Sequence, residues 1–241
     1  IDTMGNCQVH PSPELSTIYL AIDCDAVNEF QAYTMLKYTE NYIKNIVTPG
    51  SDGRLSYSSN WYPNKYSTCG IFTAENACLA LAYFKLGLKE KGNEILKGLV
   101  DCFFTGINPG TISHVQSELC SNNMGDIDFT DVSSTYLRLM VEGLFGIRIN
   151  ALDNSVIIAP NFPEEWERAS LTLKDISLNY NRTGSMEVFD IYCERENKKH
   201  IRIPMRISAV ETVMIDGEGV MYKTEAAPDN SFIVVETEKT G

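Results

Sequence analysis

The chain has no long apolar run, no cysteine framework and no excess of base, and each absence closes off a class of function. Nowhere does it offer the roughly 20 consecutive apolar residues of a bilayer span. Its 20 Lys and Arg stand against 32 Asp and Glu, a formal charge of −12. Nucleic acid and anionic membrane both require basic patches, so neither is expected as the main partner. Seven cysteines (Cys7, Cys24, Cys69, Cys78, Cys102, Cys120 and Cys193) are scattered with no CxxC pair and no zinc-like Cys/His spacing. An odd count without a framework speaks against a disulfide-stapled fold. Cys78 and Cys102 fall within helical patterns, where cysteine behaves as a small hydrophobe, so buried free thiols are expected. Asp126-x-Asp128 offers hard oxygens but lacks the glycine and terminal glutamate of an EF-hand loop, so no metal site is expected. No cofactor is called for. Asn181-Arg182-Thr183 fits a glycosylation acceptor, a pattern too short to carry weight. No signal peptide is visible, and the chain opens on Ile1 rather than Met, so a preceding segment is expected to be missing.

What the chain does have is a layout. Its 241 residues suffice for one large domain or two smaller ones. Residues 1 to 25 read as irregular, with Pro11, Pro13 and a short apolar stretch at Ile18 to Ile22. Helical spacing runs from about Val27 to Ile46, and Thr48 to Gly53 ends it. The most apolar helix spans about Thr73 to Leu86, with Thr73 as N-cap and Gly87 as the C′ residue. A charged helix follows over Lys89 to Phe104, then an apolar one over Ser134 to Phe145. Beyond Arg148 the period changes to two. Ser155–Ala159, Ser170–Leu178, Ser185–Cys193, His200–Ile207, Glu211–Ile215, Val220–Lys223 and Ser231–Glu236 read as short strands, with turns at Asp216-Gly217 and Asp229-Asn230. The fold class is α+β: helical hairpins over 1–150, then an antiparallel, β-sandwich-like domain over 151–241.

Long polar stretches precede both apolar helices, at about 47–73 and 105–133. Loops this long in a compact domain tend to be functional. An alternation of outer and inner helices places both at one end of the helical layer, and puts the Asp23-Cys24-Asp25 cluster at the opposite end. Trp61, Tyr62 and Tyr66 present flat apolar faces on which a sugar ring can stack, with Asn60, Asn64, Lys65 and Ser67 as hydroxyl partners. The structural alternative is that Trp61 and Tyr62 plug the junction between the helices and the strands. Glu75, in the first turn of the apolar helix, is an acid or base candidate or a simple helix-start charge. His114, Glu118, Asp126, Asp128 and Asp131 populate the second stretch.

Trp61-Tyr62-Pro63 before Ala80-Leu81-Ala82-Tyr83-Phe84-Lys85-Leu86-Gly87 resembles the six-hairpin glycosidases, the (α/α)6-toroid superfamily. So does Val141 to Ile147 followed by Ile158-Ala159-Pro160-Asn161-Phe162-Pro163-Glu164-Glu165-Trp166. The resemblance covers about residues 15 to 180, is nearest to large bacterial glycoside hydrolases and reaches more distantly to phosphorylases of families 65 and 94. It implies a toroid leading into a C-terminal β domain, and an oligosaccharide or polysaccharide substrate cleaved by paired carboxylates. Glu75 and Asp131 would be catalytic, and Trp61, Tyr62, Lys65, Tyr66 and His114 would bind substrate. The location implied is bacterial, periplasmic or cytoplasmic. Two departures stand out. Only about two of six hairpins are present, so the remainder of such an enzyme is an expected partner. The phosphate-binding Thr-Gly-Ser turn of the phosphorylases becomes Thr130-Asp131-Val132-Ser133, whose acid would repel phosphate and favour hydrolysis. A non-catalytic carbohydrate-binding unit, or a structural domain docking onto a missing partner, is the alternative.

Overall fold

A computed structural model describes residues 13–48, 51–60, 70–104, 115–116, 130–194, 197–206, 208–227 and 230–238. The chain divides into two compact units, Ile1–Leu86 with Glu90–Leu139, and Gly87–Lys89 with Met140–Gly241.

The first unit carries α1 (Leu15–Asp23), α2 (Glu29–Tyr42), β1 (Asn45–Val47), β2 (Arg54–Ser56), β3 (Ile71–Phe72), α3 (Thr73–Lys85), α4 (Lys89–Phe104), β4 (Val115–Gln116) and α5 (Thr130–Arg138). The segment expected to be irregular contains α1. Leu15, Ile18 and Ile22 recur at helical spacing and are all buried, so one apolar stripe drives the helix. Its first N–H, on Leu15, donates to the Ser58 carbonyl at 2.8 Å, relieving one of the unpaired donors of a helix start. α2 begins in a reciprocal cap. Gln31 N–H donates to Asn28 Oδ1 (2.9 Å), and the Asn28 N–H donates to Gln31 Oε1 (3.0 Å). It ends four residues before Ile46 because Asn45–Val47 pairs antiparallel with Arg54–Ser56.

α3 is the centre of this unit. Only Ala74, Glu75, Cys78 and Lys85 of its residues escape full burial, as expected for a helix apolar nearly all round. Leu79, fully buried, contributes about 2 kcal/mol by its transfer from water. The N-cap is Phe72 rather than Thr73, and no side chain caps the helix. Asn76 fastens the helix instead: its Nδ2 donates to Ser56 O (2.9 Å) and Phe72 O (2.8 Å), and its Oδ1 accepts from Ser56 N–H (2.8 Å). α1 and α5 pack against α3.

Leu139–Leu144, all but its first residue in the second unit, continues from α5 as a turn of π-helix, so the apolar helix expected over Ser134–Phe145 starts earlier and ends wider. The carbonyls of Gly143 and Leu144 end the helix, where no intrahelical N–H reaches them, and Asn161 takes both. Its Nδ2 donates to Gly143 O at 2.9 Å, and its backbone N–H donates to Leu144 O at 2.9 Å. Gly146 follows at φ +67°, and a Cβ there would lie 1.9 Å from Ala159 O, so glycine alone fits.

The strands are β5 (Ile147–Asn150), β6 (Ser155–Ile158), β7 (Arg168–Thr172), β8 (Ile176–Thr183), β9 (Met186–Cys193), β10 (Lys198–Pro204), β11 (Met214–Ile215), β12 (Glu218–Gly219), β13 (Lys223–Ala226) and β14 (Ser231–Thr237). β7, β8 and β9 form an antiparallel meander, while a five-stranded sheet runs β13-β14-β10-β6-β5. Ser170–Leu178, expected as one strand, is two, broken at Lys174-Asp175. The expectation of a wholly antiparallel domain also fails, because β6 and β10 pair in parallel. The Asp216-Gly217 turn is observed, with φ values of +54° and +79°.

The toroid implied by the resemblance is absent. The described residues form five short helices, of nine to sixteen residues, interleaved with small sheets. Where the resemblance needs consecutive helical hairpins, α2 is separated from α3 by the β1–β2 hairpin and β3. The phrases behind the resemblance have local causes. Leu86-Gly87 is a helix stop with glycine at φ +71°, and Val141–Ile147 with Ala159–Phe162 is the π-turn and the Asn161 clasp. Membership of the six-hairpin glycosidases falls with the toroid.

Candidate functional site

Five predicted site residues, Trp61, Tyr62, Lys65, Tyr66 and His114, lie outside the described residues, as do Glu118, Asp126 and Asp128. Their flanks are described. Ser58 N–H donates to Gly70 O at 2.7 Å. Asn60, expected to bind hydroxyls, gives its amide to the backbone instead: Oδ1 accepts from Lys44 N–H (2.9 Å), and Nδ2 donates to Tyr42 O.

Glu75 stands in the first turn of α3, five residues after Gly70. Its Oε2 is removed from water and finds no hydrogen-bond partner among the described residues. Burial penalises the carboxylate, and the charge of Glu14 raises it further, so the Glu75 carboxyl is pushed up to about 7 from the ordinary 4.5. The Tyr19 hydroxyl on α1 is pushed up by burial and by the charges of Glu75 and Cys78. Cys78, one turn along α3, is raised by burial to about 11; Arg138 opposes the shift, and Asp23, Glu75 and Asp131 add to it. A thiol held that high stays protonated and is a poor nucleophile. Of the two helical cysteines expected to be buried, Cys102 is and Cys78 is only half-buried; Cys193 is also buried, whereas Cys24 is exposed.

Asp131 is exposed in the first turn of α5. Thr130 to Ser133 forms helix rather than a phosphate-binding turn, and Asp131 O accepts from Ser134 Oγ (2.9 Å) and Thr135 Oγ1 (2.8 Å). Glu75 and Asp131 stand in the first turns of α3 and α5 respectively, and these two helices pack against each other.

Asp23 has a different role. Lys85 Nζ lies 2.5 Å from Asp23 Oδ1, and the Arg138 guanidinium grips both oxygens at 2.6 and 2.9 Å. Burial pushes this carboxyl up, but the hydrogen bonds and charges of Arg138 and Lys85 outweigh it and hold Asp23 at about 2. Asp23, Lys85 and Arg138 sit at the C-terminal ends of α1, α3 and α5, so this triad ties the three helices together away from Glu75.

Sequence reasoning missed Glu14 and Tyr19 because α1 itself was read as irregular. The Leu15, Ile18, Ile22 spacing was the available signal. No group of metal-ligating side chains is found among the described residues. Among them, no helix is long and apolar enough to cross a membrane. No protein-family model matches this chain, and no curated protein sequence matches it.

Proposed function

We propose that the first unit acts on a carbohydrate, with Glu75 as its proton donor. The observation that carries the proposal is Glu75 Oε2, removed from water and without a hydrogen-bond partner among the described residues, a burial that pushes the carboxyl up to about 7. An acid tuned to the working pH is the form in which a carboxyl serves general-acid catalysis. Glu75 would protonate a sugar oxygen as its bond to carbon breaks, and Asp131 is the candidate second carboxylate. The aromatic residues Trp61, Tyr62 and Tyr66, which precede Glu75 in the sequence, support a sugar ring as ligand.

One observation favours a second reading, carbohydrate binding without catalysis. Asp131 is exposed in a helix first turn, where the helix dipole stabilises a carboxylate without any substrate. Mass-spectrometric product analysis on a panel of oligosaccharides separates the two. Under the catalytic reading, Glu75→Gln lowers turnover by roughly 100-fold or more while affinity is kept. Affinity without product in the wild type establishes binding alone. A panel that is neither bound nor converted sinks both.

A further inference from the structure

Edge strands that resist pairing with other chains are usually short, charged, bulged or interrupted by proline. Two edges of the second unit follow that rule. β13 exposes Lys223, Thr224, Glu225 and Ala226, and β7 turns Arg168, Ser170 and Thr172 to water. β9 does not follow it. It is eight residues long, contains neither Pro nor Lys, and pairs with β8 in unbroken register from Met186 to Cys193. Glu187 is committed within its own chain, accepting from Arg206 Nε at 2.6 Å and from the Tyr180 hydroxyl at 2.8 Å. On the other face Met186, Val188 and Tyr192 are exposed, with Asp190 among them. The backbone of β9 is half unused. Glu194 N–H donates to Asp175 O at 2.9 Å, which extends the β8–β9 ladder by one pair. Alternate residues of an antiparallel ladder face the partner, so Tyr192, Asp190 and Val188 turn their N–H and C=O to β8, as Glu194 does. Glu187, Phe189 and Ile191 turn theirs the other way, where β9 has no neighbouring strand among the described residues.

We propose that β9 is a self-association edge, to which a second copy of this chain adds its own β9, antiparallel about a twofold axis. An axis at Phe189 sets Phe189 opposite its own copy and Glu187 opposite Ile191 of the second copy. These are the residues whose backbone groups point outward, so each opposed pair exchanges two hydrogen bonds. On the exposed face Met186 meets Tyr192 of the second copy, and Val188 meets Asp190. No like charges stand directly opposite. An axis at Asp190 would set two aspartates face to face, and one at Val188 would leave Ile191 opposite the turn at Ser185. A second copy fits because the edge is complementary to itself, and one contact completes the open backbone of both chains. The interface is small, so the dimer is weak and reversible. The inference is independent of any role for Glu75.

Sedimentation velocity of the whole chain, from roughly 10 μM to roughly 1 mM, should show a reversible monomer–dimer equilibrium. Amide hydrogen exchange then reads the register. As concentration rises, the Glu187, Phe189 and Ile191 amides should gain protection, while those of Val188 and Asp190, already bonded to β8, should not change. Val188→Glu sets an acid opposite Asp190 of the second copy and should weaken the dimer roughly tenfold, whereas Val188→Lys sets a base there and should hold or tighten it. Val188 is exposed and its neighbour on β8, Asn181, is uncharged, so both variants should fold. A chain that stays monomeric at the highest concentration, a dimer that leaves those three amides unprotected, or equal affinities in the two Val188 variants would each overturn the assignment.

Discussion

Replacing Glu75 by Gln should change the stability of the protein by an amount that depends on pH in a defined direction. In the folded chain the Glu75 carboxyl is raised from 4.5 to about 7, by burial first and by Glu14 second. Between those values the folded protein keeps a proton that the unfolded chain has lost. Stability therefore falls as pH rises through that window, and the loss is complete above about pH 7. At about 1.4 kcal/mol per pH unit, the gap between 4.5 and about 7 amounts to about 3.5 kcal/mol, which the residual exposure of Glu75 screens to about 3 kcal/mol. Glutamine has the shape of the protonated acid and carries no charge at any pH. The variant should match the wild type to about 0.5 kcal/mol at pH 4 and exceed it by about 3 kcal/mol at pH 8. Urea unfolding followed by far-UV circular dichroism, repeated from pH 4 to 8.5, gives this difference directly. Titrations common to both proteins cancel in the subtraction. A difference that is flat with pH, or a Gln variant less stable at pH 8, would refute the placement of Glu75 in a desolvated, unpaired site.

Two further substitutions probe other parts of the molecule. Asp23→Asn leaves Lys85 and Arg138 facing each other without their carboxylate and should destabilise the helical unit by about 2 kcal/mol at neutral pH. Because the Asp23 value is depressed, that contribution is present above about 4 and lost as pH falls through about 2, so acid unfolding curves of the two proteins should converge there. Gly146→Ala places a Cβ 1.9 Å from Ala159 O at a positive φ and should lower stability by about 2–4 kcal/mol, read as a drop in urea midpoint at constant slope.

The local elements were legible wherever a short-range cause dictates them. Helix α3 was placed almost to the residue, because Ala74 to Leu86 is apolar on nearly every face and Gly87 stops it. Strands β9 and β14 followed from alternation, and the Asp216-Gly217 turn from its residue types. What failed needed long-range information. Nothing in Ser155–Ile158 says that it will pair in parallel with residues forty positions on. Helix α1 hid behind Pro11 and Pro13, which made a three-residue apolar stripe look like loop. The resemblance to a toroid misled because its phrases are punctuation: a glycine stop, a π-turn and an asparagine clasp can end a helix in any fold. Glu75 was picked for its place in the first turn, but its significance is the desolvated oxygen, which periodicity cannot reveal.

The parallel pairing of β6 with β10 has a consequence for how this chain is made. Strand β6 has β5 on one side as soon as it is synthesised, but its other edge waits for Lys198 to Ile201. In the interval the β7–β9 meander emerges and can zip up by itself through neighbouring contacts. The larger sheet needs β10 beside β6 and β14 beside β10, both of which come later in the chain. Such distant pairings form slowly, and an unpaired strand edge invites association with other chains. Until Lys198 to Ile201 are synthesised, Ser155–Ile158 has a partner for one edge only, so the order of synthesis leaves the edge that β10 covers as the exposed side of the growing sheet.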